Sequence, residues 1–215
     1  MIIVHHLENS RSQRVLWLLE ELGLPYEIVR YERNRKTMLA PPELRRVHPL
    51  GKSPVIQDTG SESGAGSAHA IAETGPILEY LVEKADGRLG APAHREDALR
   101  YRYFMHYAEG SVMPPLLLKL VLGRVPLFGK SAQKRVQPMI DVHFDFIESE
   151  LAQRDWFAGD AFTAADAMMS FPIEAAVLRA GATEGRPHIA AWLKTIHARP
   201  AYQAALAKGG PYAYA

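Results

Sequence analysis

Residues Asn9 to Tyr26 read NSRSQRVLWLLEELGLPY. Val15, Leu18, Leu19 and Leu22 recur at i, i+3, i+4 and i+7, which predicts a helix buried along one face. Small polar residues precede this run, with Ser12 the expected N-cap, while Gly23 suits the position just past the C-terminus and Pro25 forbids continuation. Upstream lies a β-type run, Ile2-Ile3-Val4-His5, and downstream Tyr26 to Tyr31 alternates polar and apolar residues as a half-buried strand does. Strand, helix and strand within about thirty residues form a βαβ unit, hence a parallel pair with a right-handed crossover. Ser10 lies in the turn before the helix, where free backbone N–H groups and the positive end of the dipole favour an anion, or a thiol that ionises there.

The chain has 215 residues, 47% hydrophobic and 23% charged, ample for a sizeable core in one large or two modest domains. A formal charge of +1 argues against nucleic-acid or anionic-membrane binding by the surface as a whole, though not against a local basic groove. There is no cysteine, so the protein supplies no disulfide, thiolate metal site or nucleophilic thiol. No signal peptide is expected, and the apolar run around Val112 to Leu122 is broken by prolines and Lys119. These features predict a cytoplasmic protein.

Further along, the prolines 41 and 42 leave room for one irregular helix. Ser53-Pro54 enters the apolar strand that follows, where proline is tolerated at an edge or turn. A cis bond there, a state of about 5% of X–Pro bonds, would turn the chain and expose the backbone of Ser53. Gly60 to Ser67, GSESGAGS, reads as a hairpin loop, His69 to Ile71 as a fourth strand, and Glu73-Thr74 as the opening of a helix with Ile77, Leu78, Leu81 and Val82 on one face. Asp86 to Pro92 is the expected linker, and nothing beyond it reads as a strand. His94 to Leu122 is a long helical pattern bent, if anywhere, at Pro114-Pro115. Gly123 to Lys130 is a glycine-bracketed loop carrying Leu127 and Phe128, and further helices are expected near 131–154, 163–180, 186–198 and 200–207. Thr163 and Asp166 form a capping box with Asp in place of the usual Glu.

SRSQRVLWLLEELGLPYE, PLGKSPVI, AETGPILEYL and FTAADAMMSF, in this order and spacing, resemble the cytosolic glutathione transferases. In particular they resemble the fungal and bacterial branch with an SRSxRxLWLLEEL N-terminal motif. The resemblance spans nearly the whole chain. It implies a thioredoxin-like α/β N-terminal domain (βαβ-α-ββα, residues 1–84) that binds glutathione. A linker at 85–92 and an all-α helical-bundle domain at 93–215, with an acceptor pocket, would follow. It implies a cis Pro54, with the Ser53 backbone pairing with the cysteinyl part of glutathione as an added strand would. Glu73 is expected to hold the γ-glutamyl ammonium, Thr74 and the helix N–H groups its carboxylate, and Lys52 the glycyl carboxylate.

Ser10 is the expected catalytic hydroxyl, donating to the glutathione sulfur and so favouring the thiolate. Asn9, Arg11 and Ser12 are the alternatives, because the position shifts by a residue between classes. His5-His6 is a poor metal site, since adjacent strand residues point to opposite faces, and no metal is expected. Tyr103, His106, Tyr107, Met113 and Phe128 are candidates for the acceptor pocket, with ordinary packing the competing reading for each. The implied activity is attack of the glutathione thiolate on small hydrophobic electrophiles, a detoxification chemistry. Glutathione would serve as co-substrate with no permanently bound cofactor, and the protein would form a homodimer without nucleic-acid or membrane partners. The competing readings are a glutathione-dependent peroxidase or disulfide reductase, and a non-catalytic carrier of hydrophobic ligands.

Overall fold

In the computed structural model, which describes residues 1–60 and 69–215, the first strand, β1 (Ile2–Leu7), is the hub of a four-stranded sheet of order β2-β1-β3-β4. The hairpin loop expected at Gly60–Ser67 lies, from residue 61 on, outside the described residues. β1 pairs in parallel with β2 (Tyr26–Tyr31) and antiparallel with β3 (Val55–Asp58), which pairs antiparallel with β4 (His69–Ala72). The parallel pair is closed by α1 (Ser12–Leu22), and α2 (Thr74–Lys84) follows β4. Pro42–Arg46 forms a 3₁₀ turn, the irregular helix expected there. This is the thioredoxin-like arrangement, and an all-helical part follows it.

α1 ends as its sequence dictates. Gly23 adopts the left-handed conformation, φ 63°, and the Gly23 and Leu24 N–H groups bond back to Glu20 and Leu19. Its burial departs from the single apolar stripe. Every residue from Ser12 to Leu19 is buried, polar Gln13 and Arg14 included. The reason is that α1 is covered twice: the C-terminal helix α8 (Pro200–Gly209) returns over it, and α2 meets Arg14 at Thr74. Trp17 and Tyr202 meet edge to face at 5.1 Å, and the Glu21 carboxylate takes a bidentate Arg199 at 2.5 and 2.8 Å. The chain accordingly separates into one unit of Met1–Gly90 with Ala198–Ala213, and another of Ala91–His197 with Tyr214. This partition differs from the expected 93–215 grouping by returning α8 to the first unit.

The second unit contains α3 (Arg95–Tyr107), α4 (Met113–Leu122), α5 (Gly129–Leu151), α6 (Ala164–Ala180) and α7 (Pro187–His197). The long helix expected over 94–122 is interrupted upstream of its prolines, by a π-type turn at Ala108–Val112. Pro114 and Pro115 have no N–H to offer the carbonyls of Gly110 and Ser111, and widening of the preceding turn accommodates that mismatch. α6 opens on the expected capping box. Fully buried Asp166 accepts the N–H groups of Thr163 and Phe157 at 2.9 Å each, and the Thr163 hydroxyl at 3.1 Å. Phe157 in turn packs on Phe104 and Trp192, with ring centroids 4.7 and 5.2 Å away.

Candidate active site

Strand register alone brings the sequence motifs together. Val55 pairs with His5 of β1 on one side and with Ala72 of β4 on the other. The residues just past these pairs therefore meet at one end of the sheet: the turn after Leu7, Ser53-Pro54 before β3, and Glu73-Thr74 after β4. The Ser53-Pro54 bond is cis, and the Ser53 hydroxyl donates to the His5 carbonyl at 3.1 Å. β3 begins only at Val55, so the Ser53 backbone stands at the open end of the ladder, where an extended ligand can add. Lys52 is exposed beside it.

Glu73 caps α2 with φ 72° and ψ 136°. A non-glycine residue in this region carries strain of about 1–3 kcal/mol, of the kind retained at ligand clamps. Its carboxylate is exposed, whereas Thr74, the first residue of α2, is buried. Thr74 Oγ1 accepts Arg14 Nη2 at 3.2 Å. Arg14, 1% exposed, thus places a cation behind the N-terminus of α2, adding to the attraction of that end for a carboxylate. The helical pattern passed over Arg14. Its signal was an arginine among small polar residues at the head of an otherwise apolar helix.

The turn between β1 and α1 is pinned from several sides. Asn9 has φ 49°, a conformation Asn tolerates better than most residues. Arg33 fixes it, donating from Nε to the Glu8 carbonyl at 3.1 Å and from Nη2 to the Asn9 carbonyl at 3.1 Å. Asn9 Oδ1 accepts the Ala213 N–H at 2.7 Å. Its amide Nδ2 has no partner among the described residues. Arg11, in helical conformation, occupies the cap position, and Ser12 is the first residue of α1. Ser12 is therefore not the N-cap. Its hydroxyl reaches back to the end of β1, accepting the Leu7 N–H at 3.2 Å and meeting His6 Nδ1 at 2.9 Å and Ser10 Oγ at 2.7 Å.

The direction of these hydrogen bonds follows from His6. Burial, then the charge of Arg30, lowers its pKa to about 4 against an opposing bond to the Gly209 backbone, so the ring is neutral at physiological pH. A bond that favours the protonated ring is one the ring donates. With Nδ1 facing Ser12, the donor to Gly209 is Nε2. The Ser12 proton has two acceptors, His6 Nδ1 and the Leu7 carbonyl at 3.3 Å, and with it directed to either one, Ser10 supplies the proton between the two hydroxyls. Ser10, 4% exposed, also accepts the Ser12 N–H at 3.2 Å. Polar contacts thus run from Ser10 through Ser12 to His6.

The acceptor-pocket candidates are scattered by comparison. Tyr103 and Tyr107 stack at 5.0 Å, one helical turn apart on α3, and the Tyr107 hydroxyl meets His143 Nδ1 of α5 at 2.7 Å. Burial, then Tyr103, pushes the Tyr107 phenol well above its ordinary value. Met113 is buried, while His106 and Phe128 are exposed and make no ring contact among the described residues. His5 and His6 bond to different partners, His5 to Tyr31 and Gln57 at 2.9 Å each. Among the described residues no three His, Asp or Glu side chains gather as a metal would require.

The chain matches the glutathione S-transferase N-terminal domain over residues 10–84 and the glutathione S-transferase C-terminal domain over residues 104–200. It is 35% identical to glutathione S-transferase 1 of Saccharomyces cerevisiae, over 97% of this chain and 95% of that protein. It is also 35% identical to glutathione S-transferase 3 of Schizosaccharomyces pombe, over 97% and 88% of the two chains. The crystal structure of a glutathione S-transferase from Actinobacillus pleuropneumoniae superposes with a TM-score of 0.86 at 31% identity, covering 100% of this chain and 95% of that one. Fold, motif register and these relatives agree, and the chain belongs to the glutathione S-transferase family.

Proposed function

We propose that this transferase binds glutathione across the end of the sheet and directs its thiolate at small hydrophobic electrophiles. The observation that carries the reading is the convergence of Ser53, strained Glu73, Thr74 backed by Arg14, and the Asn9–Ser10 turn at one sheet end. Glutathione runs along the Ser53 backbone, its γ-glutamyl ammonium on Glu73, its γ-glutamyl carboxylate on Thr74 and the α2 N-terminus, and its glycyl carboxylate on Lys52. The sulfur lies over the turn. The protein contributes thiol ionisation, alignment and an apolar acceptor site, with no covalent intermediate on the chain. Tyr103, His106 and Phe128 are the exposed acceptor-site candidates. The enzyme acts in the cytoplasm as a homodimer, and a sedimentation mass equal to one 23.9 kDa chain at micromolar concentration would refute the dimer.

Ser10 is the assigned donor to the sulfur. A second reading has its own observation: Asn9 Oδ1 is taken by the Ala213 N–H, and its Nδ2 has no partner among the described residues. Glu73→Gln should weaken glutathione binding about tenfold to a hundredfold by calorimetry, the loss of one charge-assisted bond. Unchanged affinity would remove the γ-glutamyl end from this site. Turnover of chlorodinitrobenzene against hydroperoxides and glutathione disulfides, with and without glutathione, separates transferase from peroxidase and reductase. Inactivity throughout would leave a carrier.

A further inference from the structure

We propose that the α4–α5 tip, residues 124–135, docks the protein on an anionic lipid surface. Leu127 is 95% exposed and Phe128 75% exposed, with Val121 and Val125 exposed beside them. Leu127 is held outward by its backbone. It has φ 65°, and the Phe128 N–H donates to the Pro126 carbonyl at 2.7 Å, closing a strained γ-turn around it. Gly129 locks the base of the tip: a Cβ there would stand 2.2 Å from the Leu122 carbonyl oxygen. The N–H groups of Arg124, Val125, Phe128 and Gly129 are all bonded within the tip. That leaves the N–H groups of Leu127, Lys130 and Ser131 to the hydrated headgroup boundary, where water can satisfy them.

Charge identifies the medium. Between residues 110 and 140 there is no Asp or Glu, but there are five cations, Lys119, Arg124, Lys130, Lys134 and Arg135. With a net charge of +1 for the chain, the remainder carries 1 − 5 = −4. Net charge thus disfavours anionic surfaces for the chain as a whole, and the balance reverses at this tip. Arg124, Lys130, Lys134 and Arg135 are exposed and form no ion pair among the described residues. A second copy meeting tip to tip would oppose like charges. Apolar residues projecting from a ring of lysine and arginine suit a negatively charged leaflet, which takes the side chains into its headgroup boundary and the cations at its surface. Hydrophobic acceptors concentrate in the same phase.

The test is co-sedimentation of the full chain with phosphatidylcholine vesicles containing or lacking phosphatidylserine. Binding to the anionic vesicles, weakened by salt, is expected. Each cation near such a surface contributes about fivefold to partitioning, so Arg124→Glu with Lys130→Glu should reduce binding at least about twenty-five-fold. Leu127→Glu should reduce it about tenfold or more. Circular dichroism and the thermal midpoint report whether each variant keeps its fold. Failure of the parent to bind, equal binding to neutral vesicles, or folded variants that bind as the parent does would overturn the proposal. So would binding to soluble polyglutamate in place of vesicles through the same residues, which would make the tip a dock for acidic polypeptides.

Discussion

Ser10 reaches a thiolate only by turning its proton away from Ser12, which it meets at 2.7 Å. A hydrogen bond to the charged sulfur contributes about 1.5–3 kcal/mol, and the surrendered neutral bond costs about 0.5–1.5. The net effect is about one pKa unit at 1.36 kcal/mol per unit. Ser10→Ala should therefore raise the pKa of bound glutathione by about one unit, lower turnover at pH 6.5 about tenfold, and leave affinity at low pH nearly unchanged. Asn9 Nδ2 has no competing bond to surrender, so if it is the donor, Asn9→Ala should give the larger shift, one to two units. Thiolate absorbance against pH in the binary complexes decides. If neither variant shifts, activation rests on the helix N-terminus and backbone donors. Ser10 and Asn9 were both legible as members of the polar turn. The order of donation was not, because it is set by His6, Gly209 and Ala213, which only the fold brings to that turn.

Elements announced themselves where local chemistry acts alone. Gly23 ended α1, Thr163 and Asp166 opened α6, and the alternation of β2 predicted its half-buried state. What the pattern missed is what distant chain imposes. α1 reads as one-sided, yet α8 covers it and buries Gln13, while Arg14 is buried towards Thr74 of α2. The π-type turn of 108–112 is caused by prolines that stand after it. Asp166 is the case in which local and tertiary demands coincide. It caps its own helix through Thr163 and also holds the Phe157 N–H, nine residues upstream. Burial pushes this carboxyl up to about 7, against four hydrogen bonds that favour its anion, from the Phe157, Thr163 and Asp166 N–H groups and the Thr163 hydroxyl. Asp166→Ala would strand two buried backbone donors at about 1–3 kcal/mol each. A loss of about 2–5 kcal/mol in urea unfolding is expected, with Asp166→Asn recovering part of it by accepting one bond. A change under about 0.5 kcal/mol would show that water replaces the carboxylate.

On the scale of the whole molecule, the buried polar groups set how stability responds to pH. Asp58 is fully buried, and burial raises its pKa. Lys84 at 2.8 Å, Tyr80 at 2.5 Å and the Gly60 N–H at 2.8 Å outweigh this and hold its carboxyl well below the usual range. Its contribution is present above the unfolded value of 3.8 and fades only as pH falls below it. Asp166, raised, works the other way, since the unfolded chain ionises first as pH rises above 3.8. His6 acts in the window between. Its folded pKa is lowered from 6.5 to about 4, so below pH 6.5 the unfolded chain takes up a proton that the folded protein refuses. Stability is lost as pH falls from about 6.5 towards 4, by about 2 kcal/mol between pH 7 and 5 and about 3 at the limit. His6→Asn removes the titrating group and leaves Asp58 and Asp166 in place, so subtracting its pH profile from the parent's isolates the histidine. Over pH 7 to 5 the parent should lose about 2 kcal/mol more than the variant in chemical denaturation. Parallel profiles would mean that His6 titrates alike in the folded and unfolded chain, so that burial beside the β1–α1 turn does not hold its ring neutral below pH 6.5.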